Sequence, residues 1–382
     1  MNTRPSLKAI LTMSVFILFI CGAFLLNLIM PNPTLLHSER RKPDSFPKLS
    51  VKTILSAEFM DNFGKYASDN FIFRDTLRTM RAISVFDIFM QTDKSGLYYD
   101  SNVGAGKFEK EDEKSIQRTS EKLKYVCELL LDINSNINIY YSIIPDKNMY
   151  TAKYFPGFDF EKAHEILSGQ LEQSNNIKYI DLKQALNGEE FYRTDIHWNQ
   201  SNIYGVLDAL SNAMGFSDRL DKNFTENNAG TFHGIYTGQL ALPLKPDTMI
   251  YLTSDILNKA EVRYINPATA EWDLGVMYNI AAASGRDPYD MFLNGVQPLI
   301  TIDNPSATTN RQLYIFRDSF GSSLAPLLTS AYSRITLIDL RYIDARALEY
   351  FITFAESDAD VLFLYSSQIL NNPNILLVTP TN

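Results

Sequence analysis

Three residues of this chain have the types that serine chemistry requires. Asp195 and His197 lie two residues apart beside Trp198, and Ser319 follows more than a hundred residues later. An imidazole oriented by a carboxylate acts as a base toward a serine hydroxyl, which then attacks a carbonyl carbon. We therefore predict a catalytic triad of Ser319, His197 and Asp195, with the Ser319 hydroxyl within about 3 Å of the His197 ring.

The same residues have simpler explanations when each is considered alone. The pair Asp318-Ser319 is a common helix cap, and Asp195 can begin the helix that follows Trp198. A single histidine is more often a satisfied polar residue than a base. Asp-x-His also occurs as a metal ligand pair, but no Cys or His cluster offers a third ligand. We expect neither a metal nor another cofactor.

The elements around these residues alternate between strands and helices, which predicts an α/β fold with a mostly parallel sheet. Predicted strands cover residues 137–144, 177–182, 299–303, 312–316, 335–340 and 361–365, and predicted helices cover 109–132, 160–173, 201–214, 322–328 and 345–354. Ser319 therefore lies between a strand and a helix, at the sheet edge where ligands bind in such folds. Unpaired N–H groups at such a helix start can stabilise an oxyanion, and Gly321 keeps the backbone clear there, but the sequence does not identify the oxyanion-hole residues.

Two further regions are assigned less specific roles. Residues 215–290 are predicted to be an insertion or a sheet extension, in which 248–253 and 260–265 pair as strands. From Ser50 to Met90 apolar residues recur at helical spacing, and the simplest explanation of aromatic residues such as Phe71 and Phe73 is that they form core.

The N-terminal region predicts a membrane anchor. After a short tail at residues 1–8, residues 9–30 form an uncharged run of 22 residues, close to the ~20 that cross a bilayer as a helix. The run is too long for a cleavable signal, and no small-x-small site closes it. Residues 31–49 form a proline-punctuated tether, and we assign residues 50–382 to the α/β domain. The basic run 40–42 leaves the orientation open when charge alone is considered.

Composition excludes one class of partner and leaves another question open. The formal net charge is −9 and no Lys/Arg-rich face appears, so we expect no nucleic-acid partner. Cys21 and Cys127 are the only cysteines, and they do not identify the redox compartment.

Several motifs together resemble the DHHW-motif family of membrane-anchored extracytoplasmic bacterial proteins. The resemblance rests on the segments 194–199 and 317–320, with further likeness at 71–75, 145–147, 287–293 and 339–342, so that it covers most of the chain from about residue 55. The first histidine of the family's motif is Ile196 here. Any catalysis by this chain must therefore use His197.

The resemblance also implies a fold and an activity. The family is similar to the alginate O-acetylation proteins, whose catalytic domain is a rearranged SGNH-hydrolase fold, a three-layer α/β sandwich. By matching motif, Asp195 orients His197, His197 acts as base and acid, and Ser319 is acylated. Arg341 and Trp198 are assigned to substrate binding, with packing against His197 as the alternative for Trp198.

The resemblance thus implies an extracytoplasmic, single-pass membrane O-acyltransferase or esterase acting on a cell-envelope polysaccharide. Because one span cannot carry an acyl group across the bilayer, a transferase would need a membrane acyl-donor protein as partner. The alternative is a non-catalytic carbohydrate-binding or scaffold protein of the cell envelope that retains the fold.

Overall fold

A computed structural model describes residues 6–151, 157–172, 176–355 and 358–380 of the chain. By their contacts the described residues group into two compact units, one within residues 6–91 and 237–243 and the other within residues 92–236 and 244–380. Residues 50–91, which the sequence assigns to the α/β domain, make their contacts mainly within the first unit. By this grouping the compact α/β unit begins at residue 92, and the domain that was assigned to residues 50–382 stays a prediction.

The first unit is helical. Its helices are α1 (Leu7–Ile29), α2 (Val51–Leu55), α3 (Glu58–Asp69) and α4 (Arg74–Ile83), and a π-helical turn (Ser84–Ile88) follows α4. Helix α1 starts at Ser6, whose side chain accepts the Ala9 N–H, and none of its residues is buried. Within the described ranges it is the one helix long and apolar enough to cross a membrane.

The predicted core role is wrong for Phe71 and Phe73. Phe73 is 66% exposed and Phe71 is 40% exposed, and Leu77 and Met80 are also exposed. The face of α4 that turns inward instead carries Arg74 and Arg78, whose guanidinium groups pair with Glu39. Helical spacing located the apolar stripe, but spacing alone does not tell which side of a helix faces the protein.

The second unit contains the predicted α/β sheet. Its strands are β1 (Asp93–Lys94), β2 (Leu97–Asp100), β3 (Gly104–Lys107), β4 (Asn138–Ile144), β5 (Ile177–Tyr179), β6 (Thr225–Phe232), β7 (Asp247–Thr253), β8 (Glu261–Ile265), β9 (Trp272–Leu274), β10 (Leu299–Asp303), β11 (Gln312–Arg317), β12 (Arg334–Ile338) and β13 (Ala359–Ser366). Eight of them form one sheet in the order β5-β4-β13-β11-β12-β10-β8-β9. The first five strands in that order are parallel, and β10, β8 and β9 continue antiparallel.

Helices cover both faces of this sheet. They are α5 (Glu113–Ile133), α6 (Phe160–Leu171), α7 (Tyr204–Met214), α8 (Ile235–Leu240), α9 (Asp255–Lys259), α10 (Phe320–Leu328) and α11 (Ser367–Leu370), of which α8 runs on into the first unit. Helices α5 and α6 pack on one core, and α7 and α10 pack on the core of the opposite face. Strands buried on both faces carry apolar side chains at most positions, as β4 and β13 do apart from polar residues such as Ser142 and Asp360.

The region 215–290 differs in its pairing from the prediction. Strand β7 pairs with β6 in a separate two-stranded sheet, whereas β8 pairs with β10 and β9 in the main sheet. The two predicted strands therefore do not pair with each other, because β7 belongs to the two-stranded sheet and β8 extends the main sheet. The predicted helix at 345–354 is a short 3-10 turn over Ala345–Tyr350.

Candidate active site

Ser319 lies where strand β11 passes into helix α10, as the sequence predicts. The preceding residue, Asp318, is buried and fixes this turn with both carboxylate oxygens. Its Oδ1 accepts the Phe320 N–H at 3.1 Å, and its Oδ2 accepts the Ser366 N–H at 2.8 Å, at the end of the neighbouring strand β13. The nucleophile turn is thus tied to the sheet, which limits how far the Ser319 hydroxyl can move.

Asp195 and His197 lie at the tip of a tight loop after β5. The loop is closed by main-chain bonds from Tyr192 N–H to the His197 carbonyl at 3.0 Å and from Asn199 N–H to the Glu190 carbonyl at 2.7 Å. Neither residue begins a long helix, because α7 starts only at Tyr204. The structure therefore presents both side chains on a rigid loop.

The three predicted residues meet in the geometry of a triad. The Ser319 Oγ lies 2.7 Å from His197 Nε2, and His197 Nδ1 lies 2.7 Å from Asp195 Oδ1. With Nδ1–H donated to the carboxylate, Nε2 is left as an acceptor for the serine proton. Asp195 is buried, the His197 side chain is 11% exposed, and Ser319 is partly exposed. The hydroxyl can thus be reached by a ligand while the carboxylate is shielded from water.

Asp195 is held from its other side by a second layer of bonds. Its Oδ2 accepts the Ile235 N–H at 2.9 Å, and Gly234 N–H donates to the Thr194 hydroxyl at 2.8 Å. That hydroxyl donates to Asp247 Oδ2, which also accepts the Thr194 N–H. A Cβ on Gly234 would lie 2.2 Å from the Thr194 carbonyl oxygen, so only glycine permits this approach.

A buried lysine donates hydrogen bonds to the loop that carries Asp195 and His197. The Lys147 ammonium donates to the carbonyls of Tyr192 at 2.9 Å and Asp195 at 2.7 Å, and it lies over the ring of Tyr236. Burial is the main cause that lowers the pKa of Lys147 to about 8, opposed by the neighbouring Asp146. The lysine therefore remains mostly charged at neutral pH and holds two main-chain carbonyls of the loop.

Tyr289 packs against the imidazole of His197. Its ring stacks on His197 and its hydroxyl lies 2.6 Å from the Ser323 Oγ, which also accepts the Trp198 indole N–H at 2.8 Å. Trp198 is fully buried and packs edge-on against Phe320. The predicted substrate contact of Trp198 is therefore replaced by a packing role, because its indole has no surface that a ligand can reach.

Arg341 follows β12, the strand beside β11, and is partly exposed. Its guanidinium forms two bonds to the buried Asp339, from Nε at 2.8 Å and from Nη2 at 2.7 Å. The same carboxylate lies 3.5 Å from the buried Arg317. The position at the sheet edge agrees with a pocket residue, while contact between Arg341 and a substrate stays a prediction.

The predicted oxyanion site at the start of α10 needs a correction. The Phe320 N–H is bound to Asp318 Oδ1, the Gly321 N–H to the Asp318 carbonyl and the Ser322 N–H to the Ser319 carbonyl. These amides are therefore engaged in holding the turn. Gly321 has a different role from the one predicted, because a Cβ there would lie 2.7 Å from the Arg317 Cβ. The glycine makes room for the buried arginine.

Other candidate groups lie outside this constellation. His233 is exposed at the end of β6. Among the residues that the structure describes, no cluster of three His, Cys, Asp or Glu side chains is arranged to hold a metal ion. A cavity of about 570 Å³ lies at the opposite end of the sheet, where β11 and β12 begin, and its lining includes Gln312 and Arg334 but no triad residue.

Sequence reasoning missed the residues that position the triad. Lys147 and Tyr289 stand in the segments 145–147 and 287–293, which carried the family resemblance but had no assigned role. Asp247 and Gly234 gave no local signal, because their contacts with Thr194 join residues that are distant in sequence.

Comparison with known proteins agrees with the motifs. The sequence model of the family described as DHHW protein matches residues 170–338, which include all three triad positions. The predicted resemblance to the DHHW family is confirmed. None of the curated proteins matches this chain in sequence.

Solved structures share the fold of the DHHW-like chain at low sequence identity. A DHHW family protein from Eubacterium siraeum is 18% identical with a TM-score of 0.57, covering 75% of this chain and 98% of its own. PatB1 from Bacillus cereus is 19% identical with a TM-score of 0.56, covering 72% and 97%, and PatB1 is also known with a sulfonyl adduct. The O-acetyltransferase domain of Pseudomonas putida AlgJ is 15% identical, covers 74% and 93%, and has a TM-score of 0.43. The first two likenesses establish a mixed α/β fold with a large, mostly parallel sheet.

Proposed function

We propose that this chain is an extracytoplasmic serine O-acyltransferase or esterase that acts on a cell-envelope polysaccharide through an acyl-enzyme. The proposal rests on one observation, the two 2.7 Å contacts that join Ser319, His197 and Asp195 in series. The resemblance to the DHHW family and the alginate O-acetylation proteins supports the polysaccharide as substrate and the SGNH-hydrolase-like kind of sandwich.

In the first half-reaction Ser319 takes the acyl group. Its Oγ attacks the acyl carbonyl carbon while His197 Nε2 accepts the hydroxyl proton, and Asp195 stabilises the imidazolium through Nδ1–H. Collapse of the tetrahedral intermediate breaks the bond to the leaving oxygen, which receives the proton from His197. The products are an acyl ester on Ser319 and the free alcohol of the donor.

In the second half-reaction His197 accepts a proton from the group that attacks the acyl-serine. A sugar hydroxyl as acceptor gives O-acyl transfer, whereas water gives hydrolysis, and in both cases the Ser319 hydroxyl is regenerated. The amides of the first turn of α10 are engaged, so we assign the oxyanion to the main-chain N–H of Ser319 itself. Arg341, at the adjacent strand end, is the candidate for contact with the acceptor.

The location and a partner form part of the same proposal. Helix α1 has the length and composition of a membrane span, and an uncleaved span would anchor the chain at the cell membrane with its α/β unit outside. A single helix offers no route for an acyl group across the bilayer. A transferase would therefore receive its acyl group from a separate membrane protein.

The test of catalysis is covalent labelling of the full chain in detergent with a fluorophosphonate probe. Wild-type protein should be labelled at Ser319, while Ser319→Ala and His197→Gln should not be labelled. The matched control is Ser306→Ala, which removes an exposed serine hydroxyl elsewhere in the same unit and should leave labelling unchanged. Failure of correctly folded wild-type protein to react would favour the non-catalytic carbohydrate-binding or scaffold alternative.

A second experiment separates the two reactions. The protein is incubated with a chromogenic acetyl ester as donor, with or without candidate glycans, and acetate release and acetylated glycan are both measured. Accumulation of acetylated glycan identifies a transferase, and release of acetate alone identifies an esterase. Loss of activity on chelation, with recovery on addition of metal, would contradict the metal-free serine mechanism.

A further inference from the structure

Helix α4 of the first compact unit is amphipathic, but its arginine face is turned inward and its apolar face is turned outward. On α4 the inward side chains are Arg74, which pairs with Glu39 at 2.5 Å, and Arg78, which pairs with Glu39 at 2.8 Å. Arg74 is only 12% exposed. Most of the outward side chains are apolar, although Asp75 and Arg81 of the same helix are exposed too. A helix in water normally buries its apolar stripe and exposes its charges, so this arrangement calls for a non-aqueous surrounding.

The exposed apolar side chains of α4 and of the segments beside it are numerous enough to form a surface. We call it the apolar face of the first unit, and its exposed members are Phe71, Phe73, Leu77, Met80, Ile83, Ile88, Phe89 and Met90. Exposed apolar patches of this extent mark interaction surfaces, because leaving them in water is unfavourable. The face includes three phenylalanines, a residue type common on the apolar side of helices that lie in membrane interfaces.

The apolar face of the first unit lies near the C-terminal end of α1. Asn27, in the last turn of α1, accepts the Ile72 N–H at 2.7 Å through its side-chain oxygen. Just beyond α1, Asn32 donates its side-chain N–H to the Tyr66 hydroxyl at 3.2 Å. These bonds place the turn between α3 and α4 beside the end of α1. In a membrane-spanning α1, that end lies at the bilayer surface.

The charges on the inner side of α4 pair with one another, whereas Arg81 and Asp87 are exposed. Arg41 forms two bonds to the buried Asp69, at 2.6 and 2.7 Å, and Glu39 pairs with Arg41 as well as with the two arginines of α4. The ionic groups thus satisfy one another on the inner side of α4. Burying the outer side in lipid would leave none of these charges without a partner.

We propose that the apolar face of the first unit lies in the interfacial layer of the same bilayer that α1 enters, with α4 along the membrane surface. The inference rests on the membrane anchor of the proposed function and adds a second contact with lipid. A bilayer is preferred over a second protein as occupant, because the face adjoins the helix that enters the lipid.

The test uses full-length protein in phospholipid vesicles with bromine atoms placed near the headgroup end of the acyl chains. The reporter variant is Phe73→Trp. The matched control is Tyr350→Trp, which changes another exposed aromatic residue, in the α/β unit. Trp198 and Trp272 give the same background in both variants. We expect a blue-shifted contribution from position 73 and about a twofold or larger loss of its emission on bromination, with no such loss at position 350.

The possible outcomes separate this proposal from the anchor itself. Flotation of the vesicles at alkaline pH reports whether α1 holds the chain in the membrane. If the protein floats but the tryptophan at position 73 is quenched by aqueous iodide and not by bromine, the interfacial proposal is overturned while the anchor stands. Shielding from both quenchers would show that another protein surface covers the face, which also overturns it. Protein that does not float overturns the anchor.

Discussion

The Tyr289 ring lies parallel to the His197 imidazole, with the two centroids 3.8 Å apart and the planes 8° apart. The Tyr289 hydroxyl is tied to the Ser323 Oγ, and burial raises the pKa of Tyr289 far above its ordinary range. The tyrosine is therefore neutral and fixed in place, and its ring packs against the imidazole that lies between Ser319 and Asp195. We expect Tyr289 to hold the His197 imidazole in place, and variants of the site can test this role.

Removal of the Tyr289 ring should slow the reaction of Ser319 more than removal of its hydroxyl alone. We expect Tyr289→Ala to lower the fluorophosphonate labelling rate about tenfold or more, because the imidazole loses its stacking partner. Tyr289→Phe keeps the ring and serves as control, with labelling near that of wild type. Equal rates in wild type and Tyr289→Ala would show that the stack does not orient His197.

Replacement of Asp195 by Asn should nearly abolish reactivity without unfolding the chain. The amide cannot stabilise the imidazolium and allows the wrong ring tautomer, so we expect a loss of about 10³–10⁴ in labelling rate. The comparison variant is Asp159→Asn, at an exposed helix cap where asparagine caps equally well. A small loss, within about tenfold, would mean that Asp195 has no catalytic part.

Loss of the Lys147 ammonium should loosen the Asp195 loop. Lys147→Met leaves the buried carbonyls of Tyr192 and Asp195 without these donors, and we expect the free energy of unfolding to fall by about 2–4 kcal/mol. Urea denaturation followed by tryptophan fluorescence reports this change, since both tryptophans lie in the α/β unit. Lys178→Met, at an exposed position on β5, should have little effect. A comparable loss in both variants would contradict a specific role for Lys147.

The stability of the α/β unit should depend on the ionisation of Asp146. Burial raises the pKa of Asp146 to about 6 from an ordinary 3.8. Because the folded-state pKa is the higher one, the stabilisation by the protonated form is full below about pH 4 and is lost as the pH rises through 6.

Asp146→Asn removes this dependence. Its unfolding free energy should match wild type near pH 4 and exceed it by roughly 2–3 kcal/mol at pH 7, as measured by urea denaturation. A constant difference between the two proteins across this pH range would contradict the raised pKa.

Gly234 should tolerate no side chain. The Cβ of Gly234→Ala would meet main-chain atoms of Thr194 and Asp195, with the closest at 2.2 Å, so the loop carrying Asp195 must shift. We expect a loss of about 2 kcal/mol or more in unfolding free energy, together with weaker labelling. Gly169→Ala, in the last turn of α6 with open space around the new methyl, should instead raise stability by about 0.5–1 kcal/mol. Similar behaviour of the two variants would contradict the steric argument.

The sequence by itself determined much of the α/β fold. Apolar runs such as β4 and the strand–helix alternation predicted the α/β fold, because local periodicity reflects which faces are buried. The position of Ser319 after a strand could be predicted for the same reason. The pairing of Asp195, His197 and Ser319 was a hypothesis from chain order and resemblance.

Only the tertiary structure decided how these residues act together. Contacts between distant residues, such as Tyr289 with His197 or Lys147 with the Asp195 carbonyl, depend on which strands become neighbours. The outward face of α4 was likewise undetermined, because an apolar stripe has the same spacing whether it meets a core or a membrane. Local patterns fix which elements form, and the packing of those elements fixes which side chains meet.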